Sequence, residues 1–192
     1  MRDKSQKRSY LYQTPRLYVR GLQLKDIHGN YAGWFNDGEV CKYNSHGAFP
    51  KSKKELASYV RSMYENNDKI VWAVIDRKTG SHIGNISLLC LDWINRSAEF
   101  AVIIGEKDHW GKGYATEAAI LLLDHGFNKL NLNRIYCGTA ATNLGMQKVA
   151  SNLKMKREGV RRKALYLSGK YADVYEYGIL RDEFNRSKNK SD

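Results

Sequence analysis

The residues whose types and spacing lend themselves to chemistry gather between Ala98 and Gly126, in the stretch AEFAVIIGEKDHWGKGYATEAAILLLDHG. Ala98 to Ile104 is a short apolar run with β-branched residues, which suits a buried strand, and Glu117 to Phe127 carries apolar residues at helical spacing. Between them, Trp110-Gly111-Lys112-Gly113-Tyr114-Ala115-Thr116 reads as a turn into a helix. A helix start leaves backbone N–H groups without intrahelical partners and carries the positive end of the macrodipole. Gly111 and Gly113 have no Cβ to keep an anion away from the main chain, and Lys112 adds positive charge, so the turn has the chemistry of a diphosphate cradle. A plain tight turn accounts for the two glycines as well. Glu99 stands in the apolar run, where burial favours the protonated form of a carboxyl and so tunes it toward general-base work. Its structural alternative is an ion pair with Arg96, His82 or a lysine. Asn143 precedes a helical stretch and is an N-cap by type.

The elements that must position these groups follow from periodicity. Met1 to Thr14 reads as an irregular arm and Arg16 to Arg20 as a first strand. Lys25 to Phe35, with Ile27, Tyr31 and Trp34 on one face, predicts a helix ended by Asn36-Asp37-Gly38. Ser52 to Tyr64 predicts a second helix, with Ser52 as N-cap and Glu55 completing a capping box. Ile70 to Asp76 and His82 to Leu91 pair as a hairpin, with Gly84 marking a bulge or a close approach. A turn at Asn95-Arg96-Ser97 leads into the central strand, so three strands form an antiparallel meander. After the long helix come a strand (Arg134 to Ala140), a helix from Asn143 through Leu153, and a hairpin of Arg157 to Leu167 with Tyr171 to Leu180. Strand, crossover helix and parallel strand within a mostly antiparallel sheet is an α+β order with helices flanking a mixed central sheet.

A chain of 192 residues, 42% apolar and 11% aromatic, buries one substantial core, and no Pro/Gly/Ser-rich linker divides it. The reading is a flexible basic arm over 1–13, one domain over 14–184, and a polar basic tail over 185–192. No apolar run approaches the roughly 20 residues of a membrane span, and Met1 to Ser9 lacks the apolar centre of a signal peptide, so a cytoplasmic protein is expected. Cys41, Cys90 and Cys137 are too scattered for a disulfide framework or a paired metal site and read as buried thiols. His109 and His125 have no partner at metal spacing, and no metal is expected. The net charge of +12 suits either a nucleic-acid surface or a basic mouth for an acidic small molecule. Part of it lies toward the ends, in Arg2, Lys4, Lys7, Arg8, Arg186, Lys188 and Lys190, and the chain has no zinc-finger spacing, RNA-binding signature or repeat, which argues against a nucleic-acid module.

The segment Trp110 to Ala115 resembles the signature of the GCN5-related N-acetyltransferase (GNAT) superfamily at Gly113 and Ala115, and departs from it at Trp110, where that family usually has Gln or Arg. The element order resembles the same family over roughly Thr14 to Phe184. WGKGYATEA is similar to ribosomal-protein alanine acetyltransferases, whereas NDGEVCKYNSHG and HIGNISLLCLDWINRSAEF resemble members of surface-glycan synthesis that acetylate amino sugars. The resemblance implies a GNAT fold and acetyl-CoA as donor, with the acetyl group passing to a primary amine by direct attack on the thioester. It implies that the main chain of Ile103, Ile104 and Gly105 holds the pantetheine arm and steadies the oxyanion. Gly111, Lys112, Gly113, Tyr114, Ala115 and Thr116 would hold the diphosphate, Asn143 would bond the pantetheine, and Glu99, at the family's spacing before Gly113, would be the general base. The family's acid is absent, because Ala150 stands at the usual tyrosine position and Met146 at a common serine position. Tyr136, Cys137 and the tyrosines at 166, 171, 175 and 177 stay open for that role, as does water.

The acceptor implied is a nucleotide-linked amino sugar, which a basic protein suits, with a protein N-terminal amine as the alternative. Spermidine fits less well, because a polycation is repelled unless the site itself is acidic. A non-catalytic CoA-binding protein and a basic nucleic-acid-binding protein remain open, and the assembly expected is a monomer or homodimer.

Overall fold

The computed structural model describes residues 10–49, 51–65 and 67–188. Arg2, Lys4, Lys7, Arg8 and Lys190 lie outside the described residues, with most of the expected arm and the end of the tail. The strands are β1 (Tyr12–Gln13), β2 (Leu17–Gly21), β3 (Ile70–Asp76), β4 (His82–Asp92), β5 (Ser97–Ile104), β6 (Arg134–Ala140), β7 (Lys156–Leu167) and β8 (Lys170–Leu180). The helices are α1 (Tyr31–Trp34), α2 (Lys53–Ser62), α3 (Tyr114–Asn128), α4 (Leu144–Asn152) and α5 (Arg181–Lys188). One sheet runs β1-β2-β3-β4-β5-β6-β8-β7. Its pairs are antiparallel except β5 with β6, the two strands joined through α3. The last hairpin puts its second strand, β8, against β6 and leaves β7 at the edge.

Two apolar clusters sandwich this sheet. On one face Ala118, Ala119, Leu122, Leu123 and Phe127 of α3 pack on Val19, Ile86, Leu88, Phe100 and Ile135. On the other, Ile27, Tyr31, Trp34, Leu56 and Val60 cover Val71, Ala73 and Ile75 of β3. The second layer reaches β4 at Leu89. Farther along that face Glu99, Ala101 and Ile103 of β5, Tyr136 of β6 and Glu176 of β8 are only half-buried, and Gly138 is exposed. Half of the second face is therefore open.

The single helix expected over Lys25 to Phe35 is two pieces, a 3-10 turn at Leu24–His28 and the four-residue α1. Asp26 explains the break. Its carboxylate accepts from Gln23 N (2.8 Å) and from both terminal nitrogens of Arg20 (2.8 and 2.6 Å), which tightens the turn, and Gly29 then leaves it in an extended conformation. The apolar spacing still holds, because Ile27, Tyr31 and Trp34 enter the same core. Ser52 and Glu55 make the capping box as expected. Gly84 is a close approach: a Cβ there would run into Ile103 O and the Ile104 side chain. Within the stretch read as an irregular arm, Tyr12 and Gln13 pair with β2. Cys41 and Cys137 are buried, but Cys90 is exposed, because β4 is irregular between Leu89 and Asp92 and Cys90 takes a φ of +51° there.

Gly105 follows β5 with the Trp34 indole pressed against its α-carbon, so that a Cβ would stand 1.9 Å from the ring. Gly105→Ala should cost about 1–3 kcal/mol through overpacking, a drop of several degrees in melting temperature. Gly33→Ala, with nothing within 4 Å of the new Cβ, should leave it level or slightly raised. Equal melting temperatures for the two variants would contradict this packing.

Candidate functional site

The site begins where two strands part. β5 and β6 share the rungs Ser97–Arg134, Ala98–Ile135 and Glu99–Tyr136, and then separate. Each keeps its outer partner: β5 stays on β4 as far as Ile104–Gly84, and β6 stays on β8 as far as Ala140–Val174. Strand geometry decides which backbone groups face the gap, since successive residues point their N–H and C=O to opposite edges. Arg96 O accepts from Arg134 N (3.2 Å) on the β6 side, and Gly105 N donates to Ile83 O (2.9 Å) on the β4 side. Even-numbered residues of β5 therefore face β6. Beyond the last rung, Val102 and Ile104 present main-chain groups to the gap, while those of Ile103 and Gly105 are turned to β4. Trp110 closes one end, its indole N–H donating to Ile104 O at 2.6 Å.

The glycine turn lies next to that end. Gly111 and Gly113 have φ of +71° and +83°, the left-handed region that a side chain rarely adopts. Gly113 is the residue before the first turn of α3, and Glu117 N donates to Gly113 O (3.0 Å) to close that turn. The N–H groups of Tyr114, Ala115 and Thr116 then have no intrahelical partner. Asp76, at the end of β3 and 4% exposed, anchors the turn. It accepts from Lys78 N, Thr79 N and the Tyr114 hydroxyl (2.8, 2.9 and 3.1 Å), and His109 Nε2 stands 3.5 Å away. Burial alone would push this carboxyl up; donors from Thr79, Tyr114 and Lys78 outweigh it and hold it below its ordinary range. On the far side Glu106 accepts from Trp34 Nε1 (2.9 Å) and Asn30 Nδ2 (3.0 Å), and Lys107 pairs with Asp37 (2.9 Å) and Glu39 (2.7 Å).

Glu99 occupies the last shared rung, opposite Tyr136 on β6 and Leu89 on β4, and so lies on the open face. It is half-buried, and among the described residues its carboxylate makes no hydrogen bond or ion pair. The expected alternative partner His82 is instead bonded through Nε2 to Gly84 O (2.9 Å) and Asn85 Oδ1 (2.7 Å). Two arginines that register puts on this face are engaged: Arg134 with Glu158 and Arg161 with Glu176. Of the groups left open as acids, Tyr136 alone stands at the parting. Its hydroxyl is pushed up by burial and then by the negative groups around it, Glu99, Cys90 and Asp92. Cys137 faces the core beside Met155, its thiol pushed up to about 12 chiefly by burial. Tyr166 and Tyr171 pair at the hairpin tip, Tyr175 lies under Arg157, and Tyr177 packs on the α3-side core.

Asn143 caps α4, its Oδ1 accepting from Met146 N (3.1 Å). His125 belongs to an aromatic cluster with Tyr12 and Trp72, its Nδ1 2.9 Å from the Tyr12 hydroxyl. Trp34 and Trp72 pack in the core, whereas Trp93 is exposed on the β4–β5 turn. Among the described residues no three His, Cys, Asp or Glu gather as metal ligands, and no helix is long and apolar enough to cross a membrane. A cavity of about 210 Å³ lies elsewhere, at the start of β3, lined by Leu22, Met63, Tyr64 and Lys69. It contains none of the groups considered for chemistry.

A parallel strand pair thus opens into a slot beside a left-handed glycine turn at the start of a helix. The chain belongs to the GNAT family: the model of the acetyltransferase (GNAT) domain matches residues 16–156. An N-acetyltransferase of Bacillus licheniformis named p20, itself uncharacterized, is 30% identical over 173 residues, covering 89% of this chain and 96% of its own. The putative ribosomal N-acetyltransferase YdaF of Bacillus subtilis is 36% identical over 109 residues, 57% of this chain and 59% of its own. Spermidine N-acetyltransferase from Vibrio cholerae, solved with CoA and spermine, superposes with a TM-score of 0.82 at 27% identity, covering 90% of this chain and 99% of that one. The protein is an acetyl-CoA-dependent N-acetyltransferase.

Asp76 holds both the hairpin turn and the start of α3, and its depressed carboxyl sets the sign of its pH effect. Its contribution is complete above the unfolded carboxyl value of about 3.9 and is lost as pH falls through the lower folded value. Asp76→Asn should cost about 1–3 kcal/mol at neutral pH and flatten the acid limb of melting temperature against pH. An unchanged acid limb would remove Asp76 from this role.

Proposed function

We propose that this N-acetyltransferase acts on a small cationic primary amine of the polyamine type, with Glu99 as the general base. The observation that carries the reading is the Glu99 carboxylate at the last β5–β6 rung, unpaired among the described residues, on a face where Arg134 and Arg161 are both neutralised. A nucleotide-linked amino sugar, the acceptor implied by the sequence resemblance, needs a free cation for its phosphates there. An alkylammonium needs a carboxylate, and Glu99 supplies one despite the +12 of the whole chain. Similarity to the spermidine N-acetyltransferase solved with spermine supports the same class.

The residues present suit acetyl-CoA, whose contribution is an electrophilic thioester carbonyl. The main chain of Val102 and the N–H of Ile104 face the gap, the Ile104 carbonyl being taken by Trp110, and the N–H groups of Tyr114, Ala115 and Thr116 with Gly111, Lys112 and Gly113 offer an anion cradle at its end. Ile103 and Gly105, whose main chain bonds β4, hold the shape of that edge, and Asn143 keeps its side-chain N–H₂ for a ligand while Oδ1 caps α4. An ammonium has no lone pair for attack, so a base must remove a proton first; Glu99 takes it directly or through one water. Tyr136, beside Glu99, is the side chain placed to return a proton to the departing thiolate, whose ordinary value near 8.5 makes it a tolerable leaving group even without an acid.

Thiol release measured against spermidine, nucleotide-linked amino sugars and short peptides with free N-termini should give the largest kcat/KM for spermidine, by about tenfold or more. A larger value for the nucleotide sugar or the peptides would overturn the acceptor assignment. Glu99→Gln should lower kcat about 100-fold at pH 7 with acetyl-CoA affinity kept. The loss should shrink as pH approaches the amine's own value near 10, where free base is abundant. Full activity of Glu99→Gln at neutral pH would remove it as the base.

A further inference from the structure

Arg16 stands over the glycine turn although 101 residues separate it from the ion-pair partner there. It projects from the β1–β2 connection, which Arg77 holds through Thr14 O (2.6 Å). Its Nε donates to Glu117 Oε2 (2.7 Å), one terminal nitrogen donates to Lys112 O (2.9 Å), and the other also meets Glu117. The guanidinium lies 4.6 Å from the Tyr114 ring centre, and a Cβ on Gly113 would be 3.5 Å from its terminal nitrogen. Arg16 is 47% exposed, Glu117 only 19%.

Two electrostatic consequences follow. Glu117 is a carboxylate in the first turn of α3, beside the N–H groups of Tyr114, Ala115 and Thr116. Alone it would repel any diphosphate seated on them; Arg16 cancels it at contact distance. A guanidinium also carries five N–H donors in a fixed fork, and the contacts to Glu117 and Lys112 use three, so about two remain on the exposed edge for phosphate oxygens.

We propose that Arg16 is a diphosphate-binding residue of the acetyl-CoA site, neutralising Glu117 and turning its remaining N–H groups to the anion. This rests on the reading of Gly111 to Thr116 as the diphosphate cradle. Calorimetric titration of the full chain with acetyl-CoA, 3′-dephospho-acetyl-CoA and acetyl-pantetheine separates the two statements. Wild type should bind both nucleotides more tightly than acetyl-pantetheine, which lacks the diphosphate. Arg16→Ala should weaken both nucleotides about tenfold or more and leave acetyl-pantetheine unchanged. Arg16→Lys should fall between. Glu117→Gln breaks the same ion pair but should keep or raise nucleotide affinity, because it deletes the repelling charge.

Unchanged nucleotide binding by Arg16→Ala in a wild type that prefers nucleotides would overturn the proposal and leave the cradle standing. Equal weakening of all three ligands, or parallel losses in Arg16→Ala and Glu117→Gln, would mark Arg16 as a strap between the β1–β2 connection and α3 and equally overturn it. A wild type with no preference for the nucleotides would overturn the cradle reading and the Arg16 proposal together.

Discussion

The structure depends on the loss of hydrogen bonding between β5 and β6 after the Glu99–Tyr136 rung. Buried main-chain N–H and C=O groups are costly without partners, so an internal sheet edge persists only where its surroundings keep the strands apart and water or a ligand meets the exposed groups. Here β5 is tied to β4 by the close contact at Gly84, and its end is clamped by Trp34 on Gly105 and by Glu106. β6 is carried away by β8 along its whole length. The slot is thus a consequence of each strand following its outer neighbour. Trp110, bonded to Ile104 O, couples the slot to the glycine turn, so the two share one anchor.

Charge is arranged against the grain of the molecule. The chain carries +12, yet on the open face near the slot Arg134 and Arg161 are paired and Glu99, among the described residues, is not, while the carboxylate beside the glycine turn, Glu117, is cancelled by Arg16. The two neighbourhoods thereby carry different local fields a short way apart, whatever the sign of the whole chain. Formal charge over the whole chain does not report this, because contact pairs outweigh distant screened charges.

Much of the framework was legible in the sequence because it rests on local rules. A continuous apolar run marked Ile70 to Asp76, the Ser52–Glu55 capping box marked α2, and Asn143 announced α4. The helix expected over Lys25 to Phe35 broke because Asp26 bonds Arg20 and Gln23, partners that periodicity does not weigh. Cys90, expected to be buried, is exposed because one irregularity in β4 shifts its side chain outward. Spacing from the glycine turn led to Ile103, Ile104 and Gly105, but only register reveals that Val102 and Ile104 are the residues facing the gap. Arg16 and Asp76 were missed for the same reason: the partners that tie them to the glycine turn and α3 are Glu117, Tyr114 and His109, far along the chain, and Asp76's local bonds to Lys78 and Thr79 mark only a turn.

The central claim is that the β6-facing edge of β5 is open and receives acetyl-CoA, and residue-resolved amide hydrogen exchange tests it most directly. In the free protein the amides of Val102 and Ile104 should exchange faster than those of Ala101 and Ile103, which bond β4, and saturating acetyl-CoA should slow the first pair selectively. Equal protection of all four amides in the free protein, or exchange at Val102 and Ile104 that ignores saturating acetyl-CoA, would contradict it.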